Sequence, residues 1–145
     1  MGCNPHRPLP DLGEIREAFA FFDDWEDKYR FVIDLGKSLP ELPQADRSEA
    51  NLVRGCQSQV WMVASQDPAT NALHFRIDSD AHIVRGLIAI VLAVYDGQSP
   101  ESVLKFDIEA LFDELKLLPH LSVTRGNGLR AMIRKIQAFA RERLA

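Results

Sequence analysis

The segment from Ala81 to Asp96 constrains the fold more than any other part of the chain, because nearly all of its side chains are apolar. Ser79-Asp80 before it predicts a helix cap, and Gly97 after it marks a helix end. A helix that is apolar almost all round has to be buried, so the other elements are expected to pack around it. Its longest apolar run, Gly86 to Tyr95, is far shorter than the ~20 residues of a membrane-spanning helix. We therefore predict a core helix.

Two further helices are predicted before this segment. The pattern that begins at Asp11 is typical of a capping box followed by apolar residues at helical spacing. Asp23-Asp24 predicts a stop and a new cap, after which a second helix runs from Trp25 to a C-terminal signal at Gly36-Lys37. The prolines between Ser38 and Pro43 disfavour helical geometry, so we expect an extended surface loop there.

Alternating apolar and polar residues predict strands in the middle of the chain. Asn51 to Arg54 is a candidate short strand, and Gln57 to Gln66 and Leu73 to Asp78 are stronger candidates. The turn-forming residues from Asp67 to Asn71 predict that the last two form a hairpin. A small antiparallel sheet of about three strands is therefore expected.

The remainder of the chain is predicted to be helical. Ser99-Pro100-Glu101 opens a short helix, and Asp107 caps another. The segment from Ser122 to Gly128 is expected to be a loop, and the apolar stripe that starts at Leu129 predicts an amphipathic last helix. This order of elements predicts an α+β fold, in which a small antiparallel sheet packs against helices.

Composition and charge argue against several classes of protein. The chain has 145 residues, 46% hydrophobic and 26% charged, which suits one globular domain over residues 11–145 behind a flexible N-terminal extension at residues 1–10. The net charge of −4 argues against a nucleic-acid partner. An apolar secretory signal is missing at the N-terminus, so we expect a cytoplasmic protein. Two cysteines, Cys3 and Cys56, do not make a disulfide framework.

Cys56 is the strongest candidate for chemistry. It stands between Gly55 and the polar residues Gln57-Ser58-Gln59, which are poor neighbours for a core side chain. A lone cysteine is often a small buried hydrophobe, so a core thiol and a reactive loop thiol both remain open. A reactive thiol needs a cation or a helix N-terminus nearby, and the candidates are Arg54, Arg125 and the start of the core helix.

Other site types have weaker support. Zinc sites use closely paired Cys and His ligands, and that spacing is missing among Cys3, Cys56, His6, His74, His82 and His120, so no metal site is expected. A Cys-His hydrolase would need one of the last three histidines beside Cys56. Asp78 and Asp80 are better explained as caps than as an acid/base pair.

Arg125 is either a solvated charge or a docking residue. Trp25 and Trp61 are expected in the core.

The stretch Gly55-Cys56-Gln57-Ser58-Gln59-Val60-Trp61 closely resembles the SufE family of sulfur-acceptor proteins. Further landmarks follow in family order over roughly residues 15 to 142. They are Trp25-Glu26-Asp27-Lys28-Tyr29, Leu35-Gly36, Leu39-Pro40, Asp78-Ser79-Asp80-Ala81, Ile83-Val84-Arg85-Gly86-Leu87, and Arg125 with Gly128-Leu129. The sister CsdE branch typically differs just after the glycine and cysteine, so a CsdE-like acceptor for a related desulfurase ranks second.

The resemblance implies a fold shared with scaffold proteins of the IscU type and a sulfur carrier without catalytic turnover of its own. A SufS-like cysteine desulfurase, which carries the pyridoxal phosphate (PLP), would pass persulfide sulfur to Cys56, and a SufBCD-like scaffold would receive it. A binding module that only activates the desulfurase is an alternative, and the sequence leaves a homodimer open. The loop would hold Cys56 inward when unbound. Partner binding or loop support is implied for Gly55, Gln57, Ser58, Gln59, Asp78 and Arg125.

Overall fold

The computed structural model of the chain describes residues 9–56 and 58–144. Most of the expected N-terminal extension, including Cys3 and His6, therefore lies outside the described residues, as does Gln57. The elements in chain order are helices α1 (Leu12–Phe21) and α2 (Trp25–Lys37), strands β1 (Val60–Gln66) and β2 (Leu73–Ser79), and helices α3 (His82–Tyr95), α4 (Pro100–Lys105), α5 (Ile108–Leu115) and α6 (Val123–Glu142).

Helix α3 is the centre of the domain, as its composition predicts. Most of its side chains are buried, and only one charged residue, Arg85, lies within it. Helix α2 packs directly against it at Gly86, where an added Cβ atom would lie 2.0 Å from the carbonyl oxygen of Val32. Gly36 lies on the α2 side of the same contact, and a Cβ atom added to it would lie 2.8 Å from the Gly86 nitrogen. The two glycines therefore set the close approach of α2 and α3.

The sheet has two strands among the described residues. Strands β1 and β2 pair antiparallel from Val60 opposite Ser79 to Gln66 opposite Leu73. The α+β class is thereby confirmed, and the expected count of about three strands is too high. The short strand predicted at residues 51–54 is wrong, because Glu49–Asn51 forms a 3-10 turn and only Leu52 makes an isolated bridge to Trp61.

The first two helices agree closely with the sequence prediction. Asp11 and Glu14 form a complete capping box, and Asp24 caps α2 by accepting from the backbone nitrogen of Asp27 at 2.9 Å. The proline-rich stretch after α2 is non-helical as far as Pro43, and a 3-10 turn follows at Gln44–Asp46. In the part of the chain that the structure describes, every helix is too short or too polar to cross a bilayer.

Candidate functional site

Cys56 lies in a loop of residues 54–59, here called the cysteine loop, that leads into β1. Backbone pairing of Val53 with Val60 at 2.7 Å closes the base of this loop. Gly55 adopts a φ of +94°, a left-handed conformation that side chains disfavour, so the chain can turn sharply just before the cysteine. The Cys56 thiol is half-buried and donates to the carbonyl oxygen of Gly128 on α6 at 3.5 Å. The unbound cysteine therefore points into the protein.

A small apolar cavity adjoins Cys56. Strand β1 contributes Val60, and α3 and α6 contribute most of the other apolar walls. The cavity volume is about 20 Å³, enough for about one water-sized group. The remaining lining residues are Ser58, Val84, Leu87, Thr124, Arg125, Gly128, Leu129 and Met132.

The surroundings keep the resting thiol neutral. Burial raises the pKa of Cys56 above its ordinary value, because the charged thiolate loses hydration. The contact with the Gly128 carbonyl acts in the same direction, since that oxygen accepts from a thiol and repels a thiolate. Nucleophilic chemistry at Cys56 therefore requires a change in its environment that favours the thiolate.

The sequence suggested three groups that could activate the thiol, and the structure places two of them, Arg125 and the start of α3, at the cavity. Arg125 lines the cavity, and so does Val84 from the first turn of α3. Arg54 lies in the cysteine loop itself and is exposed. Arg125 is half-buried, so part of its side chain remains open to solvent beside the cavity.

Arg125 lies in a helix and not in the predicted loop. Helix α6 begins at Val123, and Ser122 caps it by accepting from the Arg125 nitrogen at 3.1 Å. The prediction of a loop from Ser122 to Gly128 is therefore wrong. Its two glycines disfavour a helix, but the cap and the packing of the helix outweigh that preference.

Asp80 supports the cysteine loop, although the sequence suggested a cap for α3. Its carboxylate accepts from the Gln59 nitrogen at 3.1 Å, and its own nitrogen donates to the Gln59 carbonyl at 3.3 Å. The cap prediction is wrong, because the N-cap residue of α3 is Ala81 and no side chain of the described residues caps the helix. The Ser79 hydroxyl accepts from the Ala81 nitrogen at 3.2 Å, one residue before the helix. The register of the hairpin could have predicted this contact, because the pairing of Val60 with Ser79 places Gln59 next to Asp80.

Asp78 stabilises a different loop. Its fully buried carboxylate binds the guanidinium groups of Arg47, at 2.9 Å, and Arg85. It also accepts from the Leu42 nitrogen at 3.0 Å, which fixes the segment after α2. Both carboxylates are thus engaged in separate structural bonds, so the acid/base pairing of Asp78 with Asp80 is not supported.

The aromatic and histidine residues lie apart from the cavity lining. Trp61 is buried under the Arg47 guanidinium, whereas Trp25 is half-buried and stacks on His120 with ring centroids 4.1 Å apart. His74 lies 3.6 Å from the Asp96 carboxylate on the surface, and His82 is exposed. Among the described residues no histidine lines the Cys56 cavity, and no group of three or more potential ligands could hold a metal ion.

Comparison with known proteins identifies the family to which this site belongs. The model of the SufE family, described as an Fe-S metabolism associated domain, matches residues 13–140. The chain belongs to the SufE family. This membership connects it with sulfur transfer in iron–sulfur metabolism and implies an interaction with a cysteine desulfurase.

Sequence relatives cover almost the whole chain. An uncharacterized SufE-like protein of Rhizobium meliloti is 49% identical over 138 residues, which are 94% of this chain and 99% of that protein. Another from Rhizobium etli is 48% identical over 139 residues, 94% of each chain. The fold also resembles the solution structure of a hypothetical protein from Thermus thermophilus, with a TM-score of 0.73, 20% identity, and coverage of 94% of this chain and 98% of that one.

Proposed function

We propose that this SufE-family protein accepts sulfur on Cys56 from a PLP-dependent cysteine desulfurase of the SufS type and relays it to an iron–sulfur scaffold of the SufBCD type. The observation that carries the proposal is the position of Cys56, on a glycine-hinged loop beside an apolar cavity with room for about one atom. The protein is a carrier and activator that acts in the cytoplasm and binds no cofactor of its own. The PLP belongs to the desulfurase.

The transfer step is an exchange at sulfur. The Cys56 thiolate attacks the outer sulfur of the persulfide on the desulfurase cysteine, so a new S–S bond forms at Cys56 as the S–S bond on the desulfurase breaks. The desulfurase cysteine leaves as a thiolate, and Cys56 now carries the persulfide. Removal of this sulfur frees the desulfurase for another turnover, which accounts for activation.

The cysteine loop has to change position for this exchange. In the unbound protein the thiol is neutral and donates to Gly128, an arrangement that suppresses attack. Docking on the desulfurase is proposed to draw the loop outward about Gly55, which restores hydration to the sulfur and lowers its pKa. Arg125, beside the same cavity, then stabilises the thiolate or pairs with an acidic group of the desulfurase.

The inward position of the loop protects the product. A persulfide exposed to solvent is open to attack by external thiols. Return of the loop would carry the outer sulfur towards Val60, Leu87 and Met132, away from small thiols. The carrier can then reach its scaffold before the sulfur is lost.

The proposal is tested by the sulfide released from L-cysteine by a SufS-type desulfurase in the presence of a reductant. Wild-type protein should stimulate release, and Cys56→Ser should abolish the stimulation while still binding the desulfurase. Cys3→Ser is the matched control and should stimulate as the wild type does. Full stimulation by Cys56→Ser would reject the covalent role and favour a module that activates by docking alone.

A parallel assay with a CsdA-type desulfurase separates the two branches of acceptors. Stronger stimulation of the SufS-type enzyme supports the proposed partner. Stronger stimulation of the other enzyme would assign the protein to the CsdE-like alternative.

A further inference from the structure

The face of α6 beneath the cysteine loop is made of small residues. A Cβ atom added at Gly128 would lie 3.4 Å from the Cys56 sulfur, 3.5 Å from its Cα and 3.6 Å from its Cβ. Three positions further along the same helix, the Cβ of Ala131 would contact a Cβ added at Gly55 at 3.3 Å. The cysteine loop therefore packs closely against α6 at two positions, Gly128 and Ala131.

Gly128 contributes in two ways to the position of the thiol. Its carbonyl oxygen accepts from the sulfur, and its lack of a side chain allows α6 to approach Cys56 closely. A glycine inside a helix costs about 1 kcal/mol relative to alanine. At this position the lack of a side chain leaves no group between the helix backbone and the cysteine, since a methyl there would already be in van der Waals contact with three atoms of Cys56.

We propose that Gly128 is a positioning residue for sulfur transfer, which seats Cys56 inward against α6 so that the accepted sulfur is sheltered from external thiols. The inference rests on the proposed function and adds a residue to it. A methyl at position 128 would already be in contact with Cys56, so a bulky branched side chain there is expected to displace it. The displaced thiol loses its bond to the Gly128 carbonyl and gains hydration, so it ionises more readily.

The first test measures alkylation of Cys56 by iodoacetamide as a function of pH, without any desulfurase. All proteins carry Cys3→Ser so that only Cys56 reacts. Gly128→Val should lower the apparent pKa of the thiol and raise the alkylation rate at neutral pH by about tenfold, because a larger fraction of the thiol is ionised. Gly128→Ala should change the rate little, because its methyl would lie at ordinary van der Waals distance from Cys56.

Gly126→Val is the matched control. Gly126 is buried in the same helix, and an added Cβ there would meet only the flexible end of Leu118 at 3.8 Å. This variant bears the same change in helix propensity and should leave the pH profile of Cys56 unchanged. Circular dichroism verifies folding, and Gly128→Ser, whose hydroxyl adds one atom beyond Cβ, decides the outcome if Gly128→Val does not fold.

The second test follows the lifetime of the persulfide. Polysulfide loads the protein chemically, as the Cys56 thiolate takes one sulfur atom and releases a polysulfide shortened by one atom. Glutathione is then added, and its thiolate removes the outer sulfur as glutathione persulfide and leaves the Cys56 thiol. Intact-mass analysis should show about tenfold faster loss of the ~32 Da adduct from Gly128→Val than from the control, in line with thiol access controlling exchange.

The outcomes separate the two proposals. Equal pH profiles and equal persulfide lifetimes in Gly128→Val and Gly126→Val would overturn the role of Gly128, even if the desulfurase loads Cys56. A shifted profile and a shorter lifetime, with no loading of the wild type by the desulfurase, would retain the role of Gly128 in seating the thiol and reject the proposed function.

Discussion

Removal of the Asp80 carboxylate should loosen the cysteine loop without unfolding the domain. In Asp80→Ala the Gln59 nitrogen loses its carboxylate acceptor, while the backbone bond between Asp80 and Gln59 at 3.3 Å can persist. Both residues are exposed, so water replaces the lost acceptor and the cost should be about 1 kcal/mol. If this free energy is lost only by the closed conformation of the loop, the fraction of molecules with an open loop rises about fivefold.

Alkylation of Cys56 reports this change when the loop opens and closes faster than it reacts. In a Cys3→Ser background, Asp80→Ala should react about fivefold faster than the parent at neutral pH. Asp67→Ala is the control, because Asp67 accepts from the Ala69 nitrogen at 2.8 Å in the turn at the other end of the hairpin. A rate for Asp80→Ala equal to the parent, or an equal acceleration in Asp67→Ala, would refute a specific role of Asp80 in closing the loop.

Three further predictions follow from other contacts. Asp78→Ala should lower the free energy of unfolding by about 3 kcal/mol in urea denaturation, since it removes the fully buried carboxylate that the part-buried Arg47 and Arg85 share. Glu109→Ala, in an exposed pair, should cost at most about 1 kcal/mol. A loss below that of the control would contradict the anchoring role. Val123 is 82% exposed and directly precedes Thr124, which lines the cavity. Val123→Asp should weaken desulfurase binding measured by calorimetry, and unchanged affinity would exclude Val123 from the interface. Because burial raises the pKa of Cys56, its contribution to stability is present below the ordinary thiol pKa of about 8.5 and is lost as pH rises through the folded value. The unfolding free energy of the wild type should therefore fall more steeply above that pH than that of Cys56→Ser, and parallel curves would contradict the burial.

Local patterns account for the elements that were predicted well. The capping box at Asp11, the cap at Asp24 and the apolar composition of α3 are each contained within a few residues of sequence. The hairpin likewise follows from alternation on both sides of one turn. Such features form through contacts between near neighbours, so the sequence displays them directly.

The errors occur where distant segments meet. Asp78 binds Arg47 and the Leu42 nitrogen, and Asp80 binds Gln59, across separations that periodicity does not reveal. The sequence does not predict the start of α6, because Gly126 and Gly128 disfavour a helix there. The contact between Gly128 and Cys56 depends on the tertiary packing of the cysteine loop on α6. The motif around Cys56 predicted its chemistry through family resemblance, whereas its inward position and neutral resting state depend on α3 and α6.

The formation of a persulfide on Cys56 is the central claim, and intact-mass analysis tests it most directly. The full chain is incubated with a SufS-type desulfurase and L-cysteine, and its mass is measured without reductant and again after reduction. We predict an addition of ~32 Da, one sulfur atom, that reduction removes, that persists in Cys3→Ser and that is missing in Cys56→Ser. An unmodified wild-type chain, or an equal addition to Cys56→Ser, would contradict the proposal that Cys56 accepts the sulfur.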